Sequence, residues 1–472
     1  METPVQLVCV RRPLAAGHPV RILFCTILLA VVAVPLSRAC GADGATSHKG
    51  LFYDNDFGYL LDPSYSEWHL GDNFKRLGLG PCITYDVGGQ FRLRHQSERN
   101  HRGLGLTGVD DDFLLYRTRL YANVQLGEMM RVYAEGIDAL SDFERFGPRP
   151  IEENRADLLN LFGDVRLWQN NTGELWVRLG RQELLYGIER TVSPLDWANT
   201  RRTFEGYKLF WKGERWDIDA FWVRPIFPDR TAFDSPNYDR EFMGVYAARK
   251  LGKGRTAEFY YLRLENEAQP FEFDTLGTRL GDTRGPWLWE VEAALQLGRF
   301  QGSSHTAGAW TVGLGRRFEN LPWTPTLWAY YDWASGSREI GNGYHHLFPL
   351  THKYLGFMDL FGRRNIESPN VLLTLSPCEK IKLLLWYYVL FLENTGDVPY
   401  TVAMTPFNPG NRPADPYLGQ ELDLTATWRI SARTELLLGY SHFFAGDYYR
   451  FTPGLAYRGD ADFFYTQLTV NF

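Results

Sequence analysis

A chain of 472 residues with a net charge of −6 and neither a basic tail nor a basic repeat lacks the electrostatic footprint of a nucleic-acid binder. Its mean hydropathy of −0.30 excludes a bundle of membrane helices, each of which needs about 20 consecutive apolar residues. Aromatic residues at 15%, with 45 Gly against 6 Met, point instead to an aromatic-rich β protein.

The first element is the one long apolar run, residues 22–34 (ILFCTILLAVVAV), preceded by Arg11, Arg12 and Arg21 and followed by small residues. A positive start, a short apolar core and small residues at its exit predict a signal peptide over 1–42, cleaved between 39 and 45. Residues 43–83 are then expected to form an N-terminal periplasmic segment, and 84–472 the folded barrel. Cleavage removes Cys9 and Cys25, and Cys40 as well where it falls beyond residue 40, leaving two thiols in the folded part. Cys82 and Cys378 are too far apart in sequence for a disulfide framework or a zinc site, and either pair with each other or stay free.

From Thr84 the chain alternates with period two, as strands with one apolar and one polar face do. In YDVGGQFRLRH, Tyr85, Val87, Phe91 and Leu93 oppose Asp86, Gln90, Arg92 and Arg94. FLLYRTRLYANVQL sets Leu114, Tyr116, Leu120 and Val124 against Arg117, Arg119 and Asn123, and LNLFGDVRLW sets Leu159, Leu161, Val165 and Leu167 against Asn160, Asp164 and Arg166. The stretch 180–209 reads as a strand end, a charged loop bearing Trp197, and a return strand from Thr203 or Phe204. Its alternation turns Arg178 and Gln182 to the lumen and leaves Arg181 on the lipid face unless Gly180 marks a bulge. WEVEAALQL and ELDLTATWRI repeat the pattern, with Glu290, Glu292, Glu421 and Asp423 on the polar face.

About 17 such runs are long enough for tilted strands to cross a bilayer. Short turns near Gly127, Gly173, Gly213 and Gly252 alternate with long loops after Asp138, Tyr186, Arg224 and Glu265, the habit of an outer-membrane barrel. Such barrels have even strand numbers, and ENLPWTP after Phe318 is short where this count requires an outer loop. An added strand over 354–361 restores parity, gives about 18 strands, and puts the turns SPCEK and ISART on the periplasmic side. The last strand, FFYTQLTVNF, ends on Phe472, as barrel assembly signals do. The fold class is therefore all-β, a transmembrane antiparallel barrel.

Three blocks, GRQELLYGIERTVSPLDWANTRRTFEG, HHLFPLTHKYLGFMDLFGRRN, and GQELDLTATWRI with GYSHFFAGDYY, resemble the alginate export family of outer-membrane β-barrels. Gly180, Arg181, Gln182, Asp196, Trp197, Arg202, His352, Gly356, Asp359, Arg364 and Asn365 carry the first two. The resemblance implies an 18-stranded barrel with an arginine-lined conduit for an anionic polysaccharide, and leaves the substrate open.

Read without that name, the early inward positions are mostly basic: Arg92, Arg94, Arg117, Arg119, Arg131, Arg166 and Arg178, against Asp86, Glu135 and Asp164. The later ones are acidic, at Glu290, Glu292, Glu421 and Asp423. One positive and one negative wall would set up a field across the pore; alternatively the charges pair and brace the lumen. Guanidinium groups suit bidentate contact with the carboxylates of a polyuronate. Catalytic signatures are missing: Ser193 and Asp196 lack a nucleophile elbow, and none of the 10 His falls in a metal spacing such as HExxH. His345, His346 and His352 read as a structural loop rather than a metal site, and Glu152, Glu153 and Asp110 to Asp112 as solvated loop charge.

The expectation is thus a passive outer-membrane channel, with no enzymatic activity, cofactor or metal. Its partners are outer-membrane lipids, an anionic saccharide and periplasmic polysaccharide-handling proteins. A porin for small polar nutrients is the alternative, and an adhesin or loop-borne enzyme the second.

Overall fold

A computed structural model describes residues 48–102, 105–455 and 459–472; the expected signal peptide lies outside the described residues. No helix among them is long and apolar enough to cross a membrane. The strands are β1 (Leu77–Gly78), β2 (Ile83–Arg99), β3 (Asp111–Leu126), β4 (Met130–Asp142), β5 (Asn154–Asn170), β6 (Gly173–Gln182), β7 (Thr203–Gly213), β8 (Trp216–Ile226), β9 (Arg240–Arg249) and β10 (Arg255–Asn266). They continue with β11 (Phe271–Asp282), β12 (Trp287–Phe300), β13 (Ser303–Arg317), β14 (Thr326–Ala334), β15 (Ile366–Cys378), β16 (Ile381–Phe391), β17 (Tyr417–Arg429), β18 (Thr434–Ala445) and β19 (Ala461–Asn471). Each of β2 to β19 pairs antiparallel with its sequence neighbours, and β19 pairs with β2, closing a barrel of 18 strands.

The alternation read from sequence is the inside–outside pattern of this wall. Leu120, Leu161, Leu179, Leu276, Leu295 and Leu314 are exposed outward, while Arg92, Arg117, Asn160, Gln182, Gln296 and Glu421 on the opposite face are buried. Trp168, Trp287, Trp289 and Trp428 ring the outside at the short-turn end, and Tyr207 and Trp222 stack at the other, the aromatic girdles of a bilayer-crossing barrel. Beyond the second girdle the outer face carries ion pairs, Arg181 with Glu205 and Arg263 with Glu272 and Asp274, which no lipid tail would accept.

The short turns cluster at the end that also holds both ends of the barrel strands, so this is the periplasmic end. The turns near Gly127, Gly173, Gly213 and Gly252 lie there, as do 379–380 and 430–433, together with the free thiols Cys82 and Cys378. Two expectations are corrected, and their errors cancel in the strand count. Residues 354–361 are not a strand; they belong to the loop 335–365, folded inside the barrel, and are apolar because they are buried there. Conversely, no long loop follows Glu265: residues 267–270 make a tight turn into β11. With β11 counted, 318–325 falls on the periplasmic side and its shortness is ordinary. Leu159 also leaves the outward face, because a register shift in β4–β5 turns it into a small cluster with Ile137 and Ala139.

Residues 48–75 enter the periplasmic mouth. Phe52 packs on Tyr121 and under the Arg119 guanidinium, and Tyr53 meets Tyr133 and Phe162 edge-on while its hydroxyl donates to Glu183 O at 2.7 Å. Burying Leu51, Phe52 and Tyr53 contributes about 1.5–3 kcal/mol each, against ordering costs of about 1–2 kcal/mol per residue. The arginine hydrogen bonds to this segment, from Arg131 to Tyr53 O and from Arg201 to Gly50 O, therefore weigh in its seating.

Candidate functional site

Two loops fold into the lumen and meet: 183–202, between β6 and β7, and 335–365, between β14 and β15. They join by a parallel bridge, Val192 to Phe348, with Ser193 N donating to Phe348 O and Phe348 N to Thr191 O, both at 2.9 Å. The two blocks singled out in the sequence are these loops. Trp197 stacks on His352 with ring centroids 3.5 Å apart, and His352 Nδ1 lies 3.0 Å from Asp359. Arg202 donates to Phe348 O at 2.6 Å, Arg364 Nε to Tyr344 O at 2.8 Å, and the Asn365 amide to Asn394 O and Val398 O. Gly356 has φ +95°, and a Cβ there would sit 2.4 Å from the Glu421 carboxyl carbon, so only glycine fits.

The inward arginines divide by partner. Arg119 pairs with Glu135 at 2.7 Å; Arg131 and Arg178 share Asp164; Arg166, near the periplasmic end, meets Glu174 at 3.2 Å. Arg92 and Arg117 instead hold the loop turn. Arg92 donates to Asp196 O at 2.6 Å and Ala198 O at 3.0 Å, and Arg117 to Ala198 O at 3.2 Å and to the Asp196 carboxylate at 2.8 Å. Arg94 lies 3.7 Å over the Trp197 ring.

The expected negative wall is corrected in the same way. Glu290 and Glu292 meet Arg190 of the first loop at 2.7 and 3.0 Å, while Glu421 and Asp423 accept the backbone N–H groups of Met358 and Phe357 at 2.8 and 3.1 Å. These carboxylates are spent on holding inserted loops, because buried charge is costly unless paired or hydrogen-bonded. Gln182 and Arg178 are buried. Arg181 stays on the outward side, which the alternation requires, yet meets no lipid: it donates to Leu158 O and Asp234 O, under the loop 227–239. Gly180 takes φ +125° with no room for a Cβ beside Leu161 O.

Some residues had no signal in the alternation because they lie outside strands. The Asn199 amide donates to Tyr116 O, Leu140 O and Glu152 O, Arg201 pairs with Glu183 and Asp196, and Arg433 reaches Asp72 at 3.1 Å. The three histidines of the second block do not converge: His345 lies against Phe271 and Phe273, and burial with Arg364 nearby pushes both His345 and His346 well below the usual imidazole range. Ser193 Oγ donates to Glu189, and Asp111 and Asp112 pair with Arg102 and Arg99.

Two cavities flank the 196–201 turn, and Arg201 borders both. The inner one, about 260 Å³, is lined by seven cationic side chains, Lys49, Arg92, Arg117, Arg119, Arg201, Arg429 and Arg433, against Asp196 and Glu435. The outer one, about 970 Å³, is lined by six arginines against Glu98, Glu152 and Asp359. The Asp196 side chain is half exposed to the inner cavity although protein surrounds it on all sides. Burial opposes its charge, but Arg117, Arg201 and Arg92 hold it well below the usual carboxylate range. Burial alone pushes Arg202 down to about 10.

An 18-stranded barrel with aromatic girdles, a lipid-facing apolar band and loops folded into a charged lumen is a channel of the bacterial outer membrane. A family model described as alginate export matches residues 84–458, and the chain belongs to that family. No curated protein sequence matches it. Among solved structures, Acinetobacter baumannii OccAB1 superposes with a TM-score of 0.56 at 11% identity, covering 82% of this chain and 96% of that one. Pseudomonas aeruginosa OccK8 (OprE) gives 0.55 at 11%, covering 82% and 98%. A BenF-like porin from Pseudomonas fluorescens Pf-5 gives 0.54 at 11%, with the same coverage. At such identities the likeness concerns the fold alone.

Proposed function

We propose that this channel passes an anionic saccharide of the polyuronate type, one carboxylated sugar after another moving along the guanidinium groups of the lumen. The observation that carries the reading is the set of lining cations that meet no carboxylate among the described residues: Lys49, Arg92 and Arg429 at the inner cavity and Arg94, Arg202, Arg240 and Arg364 at the outer one. Family membership supports the same class of substrate. Weak contact at each step keeps transport moving, since a site that binds tightly stalls it. The partners in this reading are the saccharide in the lumen and periplasmic polysaccharide-handling proteins at the mouth that residues 48–75 occupy. Single-channel recording in planar bilayers tests it. Oligogalacturonate is expected to interrupt the current at concentrations where neutral oligosaccharide does not, and Arg429→Ala to weaken the interruption. Equal block by neutral sugar would make the protein an unselective porin, and absence of current would sink the conduit.

A further inference from the structure

The outer cavity combines two features. First, four of its guanidiniums, those of Arg94, Arg202, Arg240 and Arg364, make no ion pair among the described residues. Arg94 is satisfied by Gln467 and the Trp197 ring, Arg202 by loop carbonyls, and Arg364 by Tyr344 O and the Tyr400 ring, while Arg240 lies 5.1 Å over the Phe227 ring. Cations that are buried, as Arg94 and Arg364 are, or partly buried, as Arg202 and Arg240 are, and that lack a countercharge favour an incoming anion.

Second, its lining is rich in rings. The outer ends of β11 and β12 and the start of the loop after β8 contribute Phe271, Phe273, Phe300 and Phe227, whereas the inner cavity has one phenyl ring, Phe52. Phe271 and Phe273 stack in parallel at 4.6 Å, Phe273 is fully buried, and Phe271 and Phe300 remain partly open. A solute held here meets flat apolar surface together with unpaired guanidinium. An anion without a ring gains nothing from the first, and an apolar ring without charge gains nothing from the second.

We infer that the outer cavity binds small aromatic carboxylates, the ring lying against the phenylalanines of β11 and β12 and the carboxylate meeting the unpaired arginines. This rests on the reading of the lumen as an anion path and adds a second class of solute to it. The site lies on the extracellular side of the 196–201 turn, so such solutes reach it from outside without displacing residues 48–75.

The test is current recording on the full chain in planar bilayers, with benzoate, acetate, benzyl alcohol and oligogalacturonate added in turn to the extracellular side. Benzoate is expected to lower the current at concentrations where acetate and benzyl alcohol do not. Phe271→Ala is expected to weaken that block about tenfold while leaving block by oligogalacturonate in place. Arg240→Ala is expected to weaken block by both anions. Heat-modifiable mobility on gels checks that each variant is a folded barrel, and Phe271→Leu, which keeps the volume but not the flat ring, replaces the alanine variant if it is not. Benzoate acting no better than acetate, or a benzoate block indifferent to Phe271, overturns the inference. Failure of oligogalacturonate alone would overturn the polyuronate reading and leave this one standing.

Discussion

The barrel wall uses its basic and acidic faces in opposite ways. On β3 to β6 the inward arginines find carboxylates within the wall, Arg119 with Glu135, and Arg131 and Arg178 with Asp164. On β12 and β17 the inward carboxylates reach instead for the inserted loops, through Arg190 and the N–H groups of Phe357 and Met358. Apart from Arg92 and Arg117, which hold the 196–201 turn, the first face is a brace, and the second is a set of fasteners. A tally of inward charges therefore overstates the field across a pore; a solute meets only what neither wall nor loop neutralises, which here is Lys49, Arg92 and Arg429 at the inner cavity and Arg94, Arg202, Arg240 and Arg364 at the outer one, none of them in an ion pair among the described residues.

Breaking the brace has the largest expected effect. Asp164→Ala leaves buried Arg178 and partly buried Arg131 without their carboxylate and is expected to cost about 3–5 kcal/mol, read as a lower temperature for loss of heat-modifiable mobility. Glu128→Ala, which removes only an exposed partner of Arg166, should stay within about 1 kcal/mol. Equal effects would abolish the distinction between braced and exposed pairs.

Unseating the inserts comes next and acts on the pore rather than on the wall. Phe52→Ala is expected to weaken the seating of residues 48–75 by about 3 kcal/mol, raising conductance and exposing Lys75 to trypsin while the barrel's thermal transition holds. Gly356→Ala forces a left-handed backbone and a clash with Glu421, worth about 1–3 kcal/mol against the seated loop 335–365. Higher conductance with unchanged barrel stability supports the fastener role; loss of the barrel itself contradicts it.

The smallest effect is that of pH. A carboxylate held low contributes to loop seating above its ordinary value of about 3.9, and that contribution fades only as pH falls through the still lower native value. Conductance governed by the 196–201 turn should thus be flat between about pH 5 and 8, and a step in that window would place its control elsewhere.

The wall was legible in the sequence because each strand has to show one face to lipid. The run TRLYANVQL and the run EVEAALQL declare inside and outside residue by residue. β11 escaped because its outward upper positions are Glu272 and Asp274, paired with Arg263 above the lipid band, so the apolar contrast fades. Residues 354–361 misled for the converse reason: Tyr354, Leu355, Phe357, Met358 and Phe361 are apolar because they pack inside the barrel, where no period of two is imposed. The loop partners of the inward charges were not legible, since Arg190, Asn199 and the N–H groups of Phe357 and Met358 come from segments whose path no periodicity encodes, whereas Glu135 and Asp164, on strands, were.

The reversal potential of the open channel under a potassium chloride gradient tests the central claim, that an unneutralised cationic lining governs the lumen, most directly. Chloride is expected to be preferred, and the preference to shrink when Arg429 and Lys49, which border the inner cavity, are both replaced by glutamine. A cation-selective or unselective channel, or a chloride preference unmoved by the double substitution, would contradict it.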